Sequence, residues 1–368
     1  MPSLTPPSGG TQRERKRGKM RKSRLILAPA AMLAASALIL SGCAAEETTE
    51  TTESAETESS SDDTTTEEAP AETFEVYALF PQGNDQAYGS TLIEPLQANG
   101  AELGINFTLS NSGYDATKQL AECEIAVAAQ PDGIMLWPAV GSAVRPCLVA
   151  ADNAGIPVWV INTDVGPADA PLTYGYSGPD TYGQGVASAE LMCEAVDGEE
   201  VGIIQVNGAA GNGTAIDRDN GFTDHVEANC PNVTILAEQN ADWTPAGAKQ
   251  VAADMISAEG IENIGGIYAA DDSMVDGAVQ ALEDLGEDAS DYFITGIGNT
   301  KLGNPLVKEG KMYGTVFQSS VWEGENAPEY MHRVLTGEIA KGDRVTAYMP
   351  SVKVTAENAD DPEVAPEW

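Results

Sequence analysis

Seven polar clusters hold the side chains best suited to chemistry: Gly83-Asn84-Asp85-Gln86 followed by Tyr88, Asn162-Thr163-Asp164, Asn207 with Asn212, Asp242-Trp243, Asp271-Asp272, Asn299, and Gln318. They mix carboxylates and amides with aromatic rings and contain almost no positive charge. Amide and carboxylate oxygens accept from hydroxyl groups, and amide NH₂ groups donate to them. Aromatic faces cover the C–H faces of a sugar ring. The chemistry implied is capture of a neutral polyhydroxylated ligand. Asn, Asp and Gly also make turns for purely local reasons, so one such cluster means little and seven mean more. Bond-breaking chemistry finds less support. The only histidines are His225 and His332, neither in a cluster, and no G-x-S-x-G nucleophile elbow occurs. Gly208-Ala209-Ala210-Gly211-Asn212-Gly213 departs from the G-x-G-x-x-G dinucleotide spacing. Asp271, Asp272 and Asp276 read as one ligand carboxylate plus helix N-terminal acids that suit the dipole rather than as a metal cluster. The expectation is a binding protein with no catalytic residue, no metal and no cofactor.

The elements that must position these clusters alternate. Strands are expected over 74–79, 105–109, 132–137, 157–161, 201–206, 233–238, 264–269 and 293–297. Helices are expected over 89–103 (broken early by Pro95), 117–129, 143–154, 183–196, 214–229, 245–258 and 274–285. Short β-rich runs separated by helices of this length predict βαβ units and parallel sheets. Two series of similar size predict an α/β fold of two doubly wound, three-layer lobes. Ligands of such sheets bind beyond the carboxyl ends of the strands, where the polar clusters fall. Trp137 ends a strand and joins the candidate set, whereas Trp159 and Trp322 read as core.

The chain has 368 residues, 57 acidic and 19 basic, for a net charge of −38 and 42% hydrophobic residues. Its length suits two domains at about 150 residues each. A pI near 4.1 excludes nucleic acid as a partner, since phosphate neutralisation needs cationic surface. Eight of the basic residues crowd into Arg13–Arg24, ahead of the apolar run Leu25–Leu40. A basic stretch, a short apolar segment and small residues describe a secretory signal peptide. Sixteen residues with a proline fall short of the roughly 20 a membrane span needs. Leu40-Ser41-Gly42-Cys43 resembles the lipobox of bacterial lipoproteins, which implies lipidation of Cys43. Met20 also begins a complete signal peptide. Cleavage before Cys43 removes a leader of net charge +7 and leaves −45. Residues 43–72, rich in Glu, Thr and Ser without aromatic or large aliphatic side chains, predict a disordered acidic tether. The expected location is the outer face of the cytoplasmic membrane, reached by export and held by lipid.

The other four cysteines are even in number and suit an oxidising compartment. Cys123 and Cys147 fall on consecutive helices of the first lobe, Cys193 and Cys230 on consecutive helices of the second. One disulfide within each lobe, Cys123–Cys147 and Cys193–Cys230, leaves a hinge free. The other pairings, and four buried thiols, remain open.

From about Phe74 to Lys353 the chain resembles the type I periplasmic binding proteins, nearest their ribose-binding branch. The stretches that carry the likeness are SNSGYDATKQLAECEIAVAAQPDGIMLWPA, AADNAGIPVWVINTD, VNGAAGNGTAIDRDNGF, DWTPAGAKQVAADMI, GGIYAADDSMVDGAVQALEDLG, FITGIGNT and GKMYGTVFQSSVWEGENA. The resemblance implies two lobes joined by a three-strand hinge with crossovers near Tyr176, Gln318 and Thr346. It divides the body into 73–175 plus 319–345 and 176–318 plus 346–368. It implies a monomer that closes on a sugar or polyol and delivers it to the permease of an ABC importer. Ligand positions carry over to Asp85, Tyr88, Asn162, Asp164, Trp243, Asp271 and Gln318, while Gln86, Asn212, Asn299 and Trp137 stay in the candidate set from their places in the strand-end loops. Arg218 matches an arginine more often structural than ligand-bound. Ala87 replaces an aromatic, Ile216 and Thr163 replace arginines, and Gly298-Asn299 stands where an Asp is usual. That loss of cationic donors argues against ribose itself. The rival reading is a receptor subunit that binds a furanosyl autoinducer or nucleoside-like ligand for signalling.

Overall fold

A computed structural model describes residues 73–368; the expected signal peptide, Cys43 and the tether lie outside the described residues. Two six-stranded sheets form the body. The first contains β1 (Phe74–Phe80), β2 (Ile105–Asn111), β3 (Gly133–Leu136), β4 (Val158–Ile161) and β5 (Gly175–Gly178). The second contains β6 (Val201–Asn207), β7 (Val233–Asn240), β8 (Ile264–Ala269), β9 (Phe293–Thr295) and β10 (Gly314–Val316). The late strands β11 (Val345–Tyr348) and β12 (Lys353–Thr355) add one to each, giving the orders β11-β5-β4-β3-β1-β2 and β12-β10-β9-β8-β6-β7. Every pairing is parallel except β10 with β12. The central strands β3 (GIML) and β4 (VWVI) are buried at every residue, as strands covered on both faces must be.

The helices are α1 (Ala87–Glu102), α2 (Ala116–Ala129), α3 (Arg145–Ala154), α4 (Thr181–Val196), α5 (Gly213–Asn229), α6 (Pro245–Glu259), α7 (Asp272–Asp284), α8 (Gly303–Lys308) and α9 (Ser320–Leu335). Several begin on side-chain caps that the sequence supplies at the strand-to-helix loops. Asn212 accepts from Ala215 N, Thr244 from Gly247 N, Asp271 from Ser273 N and Ser319 from Trp322 N. Each cap satisfies a donor that the first helical turn leaves free. It also fixes where the loop residues beside it point.

Two sequence expectations need correction. Pro95 does not break the first helix; α1 runs through it. The reason is tertiary: α9 crosses α1 at Gly324, where a Cβ would lie 2.4 Å from Leu92 O and 2.7 Å from the Pro95 ring. Close packing there holds a kink-prone residue in helix. The crossovers expected near Tyr176 and Thr346 also fall later. Those two residues are register partners inside β5 and β11, both in the first sheet. That ladder keeps the chain in the first lobe through Gly178 and Tyr348. Residues 176–178 and 346–348 therefore belong to the first lobe. The middle crossover lies between β10 and α9, at Gln318.

Cys123 is joined to Cys147, and Cys193 to Cys230, with Cα–Cα distances of 5.8 and 5.9 Å. Each bond stays within one lobe. His225 lies beside the second pair, whose sulfurs are committed to each other.

Candidate functional site

A cavity of about 510 Å³ lies between the lobes, walled by residues from loops that follow the strands. That volume falls in the range of small-molecule sites. On the first-lobe side, Tyr88 stands in the first turn of α1, buried, with its ring edge-on to Trp137 at 5.6 Å. Its hydroxyl donates to Glu323 Oε2 at 2.6 Å, and Asn162 Nδ2 donates to the same oxygen at 3.0 Å. Asn162 follows β4 in the left-handed region at φ 59°, a conformation Asn tolerates better than most residues. Its own carbonyl accepts from Tyr176 Oη at 2.9 Å. Burial pushes the Glu323 carboxyl up to about 7, although the Asn162 and Tyr88 bonds oppose that shift. The same burial, with Glu323 nearby, raises the Tyr88 phenol. This hydroxyl therefore stays protonated and donating.

On the second-lobe side the anchor is Arg218, on α5 and buried. Its Nη1 donates to Ala270 O at 2.7 Å, and Nε and Nη2 donate to Gln184 Oε1 at 3.2 and 2.8 Å. Nη2 also donates to the side-chain oxygen of Gln318. The guanidinium carbon lies 5.9 Å from the Trp243 ring centroid, in cation–π range. Burial lowers its pKa, while Asp271 and Asp272 favour the charged form. Asp271 caps α7 through Ser273 and is raised by burial. Asp272, behind it, is pushed up to about 7 by burial and by the Asp271 charge.

Trp243 and its neighbour Asp242 both hold positive φ, 58° and 53°. A tryptophan there is strained, and the strain lies at the cavity wall. The Trp243 ring packs over Gly208, where a Cβ would come within 2.1 Å, so Gly208 has to be a glycine. The indole N–H is buried and has no protein partner, which leaves a donor at a cavity-lining residue.

Direct bonds join the lobes across the cleft. Asn212 Nδ2 donates to Ala139 O at 3.1 Å, and the Thr163 and Thr214 hydroxyls lie 2.7 Å apart. The conformation is closed.

Nine of the expected residues line the cavity: Gln86, Tyr88, Trp137, Asn162, Asn212, Arg218, Trp243, Asp271 and Gln318. Three do not, because each is taken by a partner elsewhere. Asp85 accepts from Asn111 Nδ2 at 3.1 Å on the exposed side of its loop. Asp164 pairs with Arg344 and accepts from Val165 N. Asn299 is fully buried, donating to Val364 O and accepting from Asn304 Nδ2. Ile216 is half exposed and away from the wall. Sequence reasoning missed Gln82, Tyr114 and Trp368, all of which line the cavity. Gln82 Nε2 donates to Tyr114 Oη at 2.8 Å, and the Tyr114 backbone holds φ 62°. The Gly113-Tyr114 turn after β2 was the available signal for Tyr114; Trp368 had none.

A family profile described as a periplasmic binding protein domain matches residues 76–339. The galactofuranose-binding protein of Escherichia coli is 26% identical over 215 residues, 58% of this chain and 67% of that protein. A xylitol-binding protein of Mycolicibacterium smegmatis is 28% identical over 264 residues, 72% of this chain and 71% of that one. Among solved structures, an ABC transporter solute-binding protein from Bacillus halodurans with bound myo-inositol superposes with a TM-score of 0.72 at 21% identity. It covers 80% of this chain and 99% of its own.

Proposed function

The chain belongs to the periplasmic binding protein family, and from that premise we propose that it captures a neutral sugar or polyol between its lobes and presents it to an ABC importer. The observation that carries this reading is the wall of the closed cavity. Aromatic rings (Tyr88, Trp137, Trp243) share it with amides (Gln86, Asn162, Asn212, Gln318), and its one buried cation, Arg218, already spends most of its donors on protein oxygens. Such a wall stacks on C–H faces and bonds hydroxyls without calling for an anionic ligand. Relatives named for galactofuranose and xylitol point to the same class. Ligand biases the hinge because it binds the closed form better than the open one. Asp271 and Trp243 complete the proposed contact set.

The leader and Cys43 support an exported protein with a lipid anchor and an acidic tether. Among the described residues no helix is long and apolar enough to cross a membrane. Mass spectrometry of the mature N-terminus is expected to find Cys43 first and carrying a lipid, and an unmodified Cys43 would reject the anchor.

The ligand reading is tested by thermal-shift screening of the refolded body with D-ribose, D-galactose, L-arabinose, xylitol, myo-inositol and adenosine. A ligand at a thousandfold excess over Kd adds about 4 kcal/mol to stability. A shift with one sugar or polyol supports the proposal. A shift with adenosine alone overturns it in favour of a nucleoside-type receptor.

A further inference from the structure

The segment after β12 returns to the cleft and is pinned to the second lobe on the way. Val364 is buried in the second-lobe core, and its carbonyl accepts from Asn299 Nδ2. Farther along, Lys301 N donates to Trp368 O at 2.6 Å and Lys301 Nζ to Glu367 O at 2.7 Å. The Glu367 carboxylate reaches the other way. It accepts from Ser319 Oγ at 2.7 Å, Ser320 Oγ at 3.2 Å and Val321 N at 3.0 Å. These groups open α9, which packs on α1 in the first lobe, and a carboxylate suits that helix end.

From this clamp the Trp368 side chain turns into the cleft. Its Nε1 donates to Gln318 O at 3.0 Å, on the middle crossover, and its ring sits edge-on to Tyr88 at 5.0 Å. The indole lines the cavity and is only partly buried. With its N–H already bonded, what it offers a ligand is an apolar ring face. Tyr88 touches Trp137 and Trp368 both, each edge-on, so the three rings form one continuous wall.

We propose that Trp368 is a ligand-contacting wall of the cleft, and that Glu367 is the positioning residue that holds it there by gripping the start of α9. The proposal rests on the cavity being the ligand site. It also links that site to the hinge, because the same two residues touch the second-lobe loop at Lys301, the crossover at Gln318 and the first lobe at α9. The chemistry Trp368 selects for is a ligand with an exposed C–H face on that side. A ligand with hydroxyls on both faces loses by desolvation what it gains by contact.

The test uses the mature protein and whichever member of the panel above gives wild type its largest thermal shift, with Kd measured by calorimetry. Trp368→Ala is expected to weaken binding by at least about tenfold, as for a buried aromatic anchor, and Trp368→Phe to recover most of that loss. Glu367→Ala is expected to weaken binding about three- to tenfold while lowering the ligand-free melting temperature by only a few degrees, and Glu367→Asp to restore part of both. The ligand-induced fluorescence change of wild type should shrink in Trp368→Phe. Wild-type affinity in both Trp368→Ala and Trp368→Phe overturns this inference and leaves the sugar reading intact. If adenosine alone binds, the sugar reading falls while the same variants, tested with adenosine, still decide the role of Trp368. A wild type that binds nothing in the panel overturns both.

Discussion

The first lobe meets the cavity with Tyr88 and Asn162 hung on a buried carboxyl, Glu323, whereas the second meets it with Gln318 and the Trp243 ring set beside a buried guanidinium, Arg218, which also donates to Gln184. Both ionisable groups pay the desolvation penalty, and they meet it differently. Glu323 can stay neutral, and burial lifts its pKa to about 7. Arginine cannot give up its proton, so Arg218 instead donates four hydrogen bonds to three acceptors. Two lobes with one architecture thus anchor their binding walls by opposite means. The first-lobe anchor responds to pH. The second is a fixed charge whose removal strands its acceptors.

The largest expected effect comes from Arg218→Met. Ala270 O and the side-chain oxygens of Gln184 and Gln318 lose a charged donor in a buried site, which should cost about 3–5 kcal/mol in stability and at least about 100-fold in ligand affinity. Urea unfolding and calorimetry measure both. Affinity within threefold of wild type would show that the second lobe does not depend on its cation.

Next are the disulfides. They close 24 residues in the first lobe and 37 in the second, so replacing either pair with Ala should cost about 3–4 kcal/mol, slightly more in the second lobe. Neither bond crosses the hinge, and Kd should hardly move. A large loss of affinity from one pair alone would reveal a lobe whose wall depends on its staple.

The pH response follows in size. The folded pKa of Glu323 is raised from the usual 4.5 to about 7. Between those values the folded protein holds a proton that the unfolded chain has lost, so stability is fully present below the unfolded value and declines as pH rises through 7. The loss by pH 8 is on the order of 3 kcal/mol. Asp272, raised from 3.8 to about 7 in the second lobe, acts in the same direction. Chemical melts from pH 4.5 to 8 should show the slope flattened by Glu323→Gln and by Asp272→Asn separately. An unchanged slope in Glu323→Gln would mean that the first-lobe anchor is not the titrating group.

The smallest effect is that of Tyr88→Phe, which removes one donor from Glu323 and should cost about 1 kcal/mol. It should also raise the carboxyl pKa further, since that bond lowers it. NMR titration of Glu323 checks the direction.

Much of the frame was legible because its signals are local. Alternating apolar runs and helical stretches placed β1 to β4 and β6 to β8 within a few residues, and the strand-end rule led to Asn162, Asn212, Trp243 and Asp271. Asp85, Asp164 and Asn299 obey the same rule yet face elsewhere. Which way a loop side chain turns depends on a partner from another element: Asn111, Arg344, and the Asn304 and Val364 groups respectively. Pro95 was misread for a similar reason, because Gly324 of a distant helix decides its fate.

By itself, then, the sequence determined the alternation of strands and helices, the acidic character, the polar clusters at the strand ends and, through the resemblance, the family. Periodicity and turn chemistry act over a few residues, and those properties need no longer reach. Only the tertiary structure decided that Glu323 is the first-lobe anchor, that Arg218 grips Gln318, and that Trp368 comes back to stand beside Tyr88. Each of these pairs residues far apart in the chain, brought together by packing of whole elements, and no local pattern encodes such a meeting.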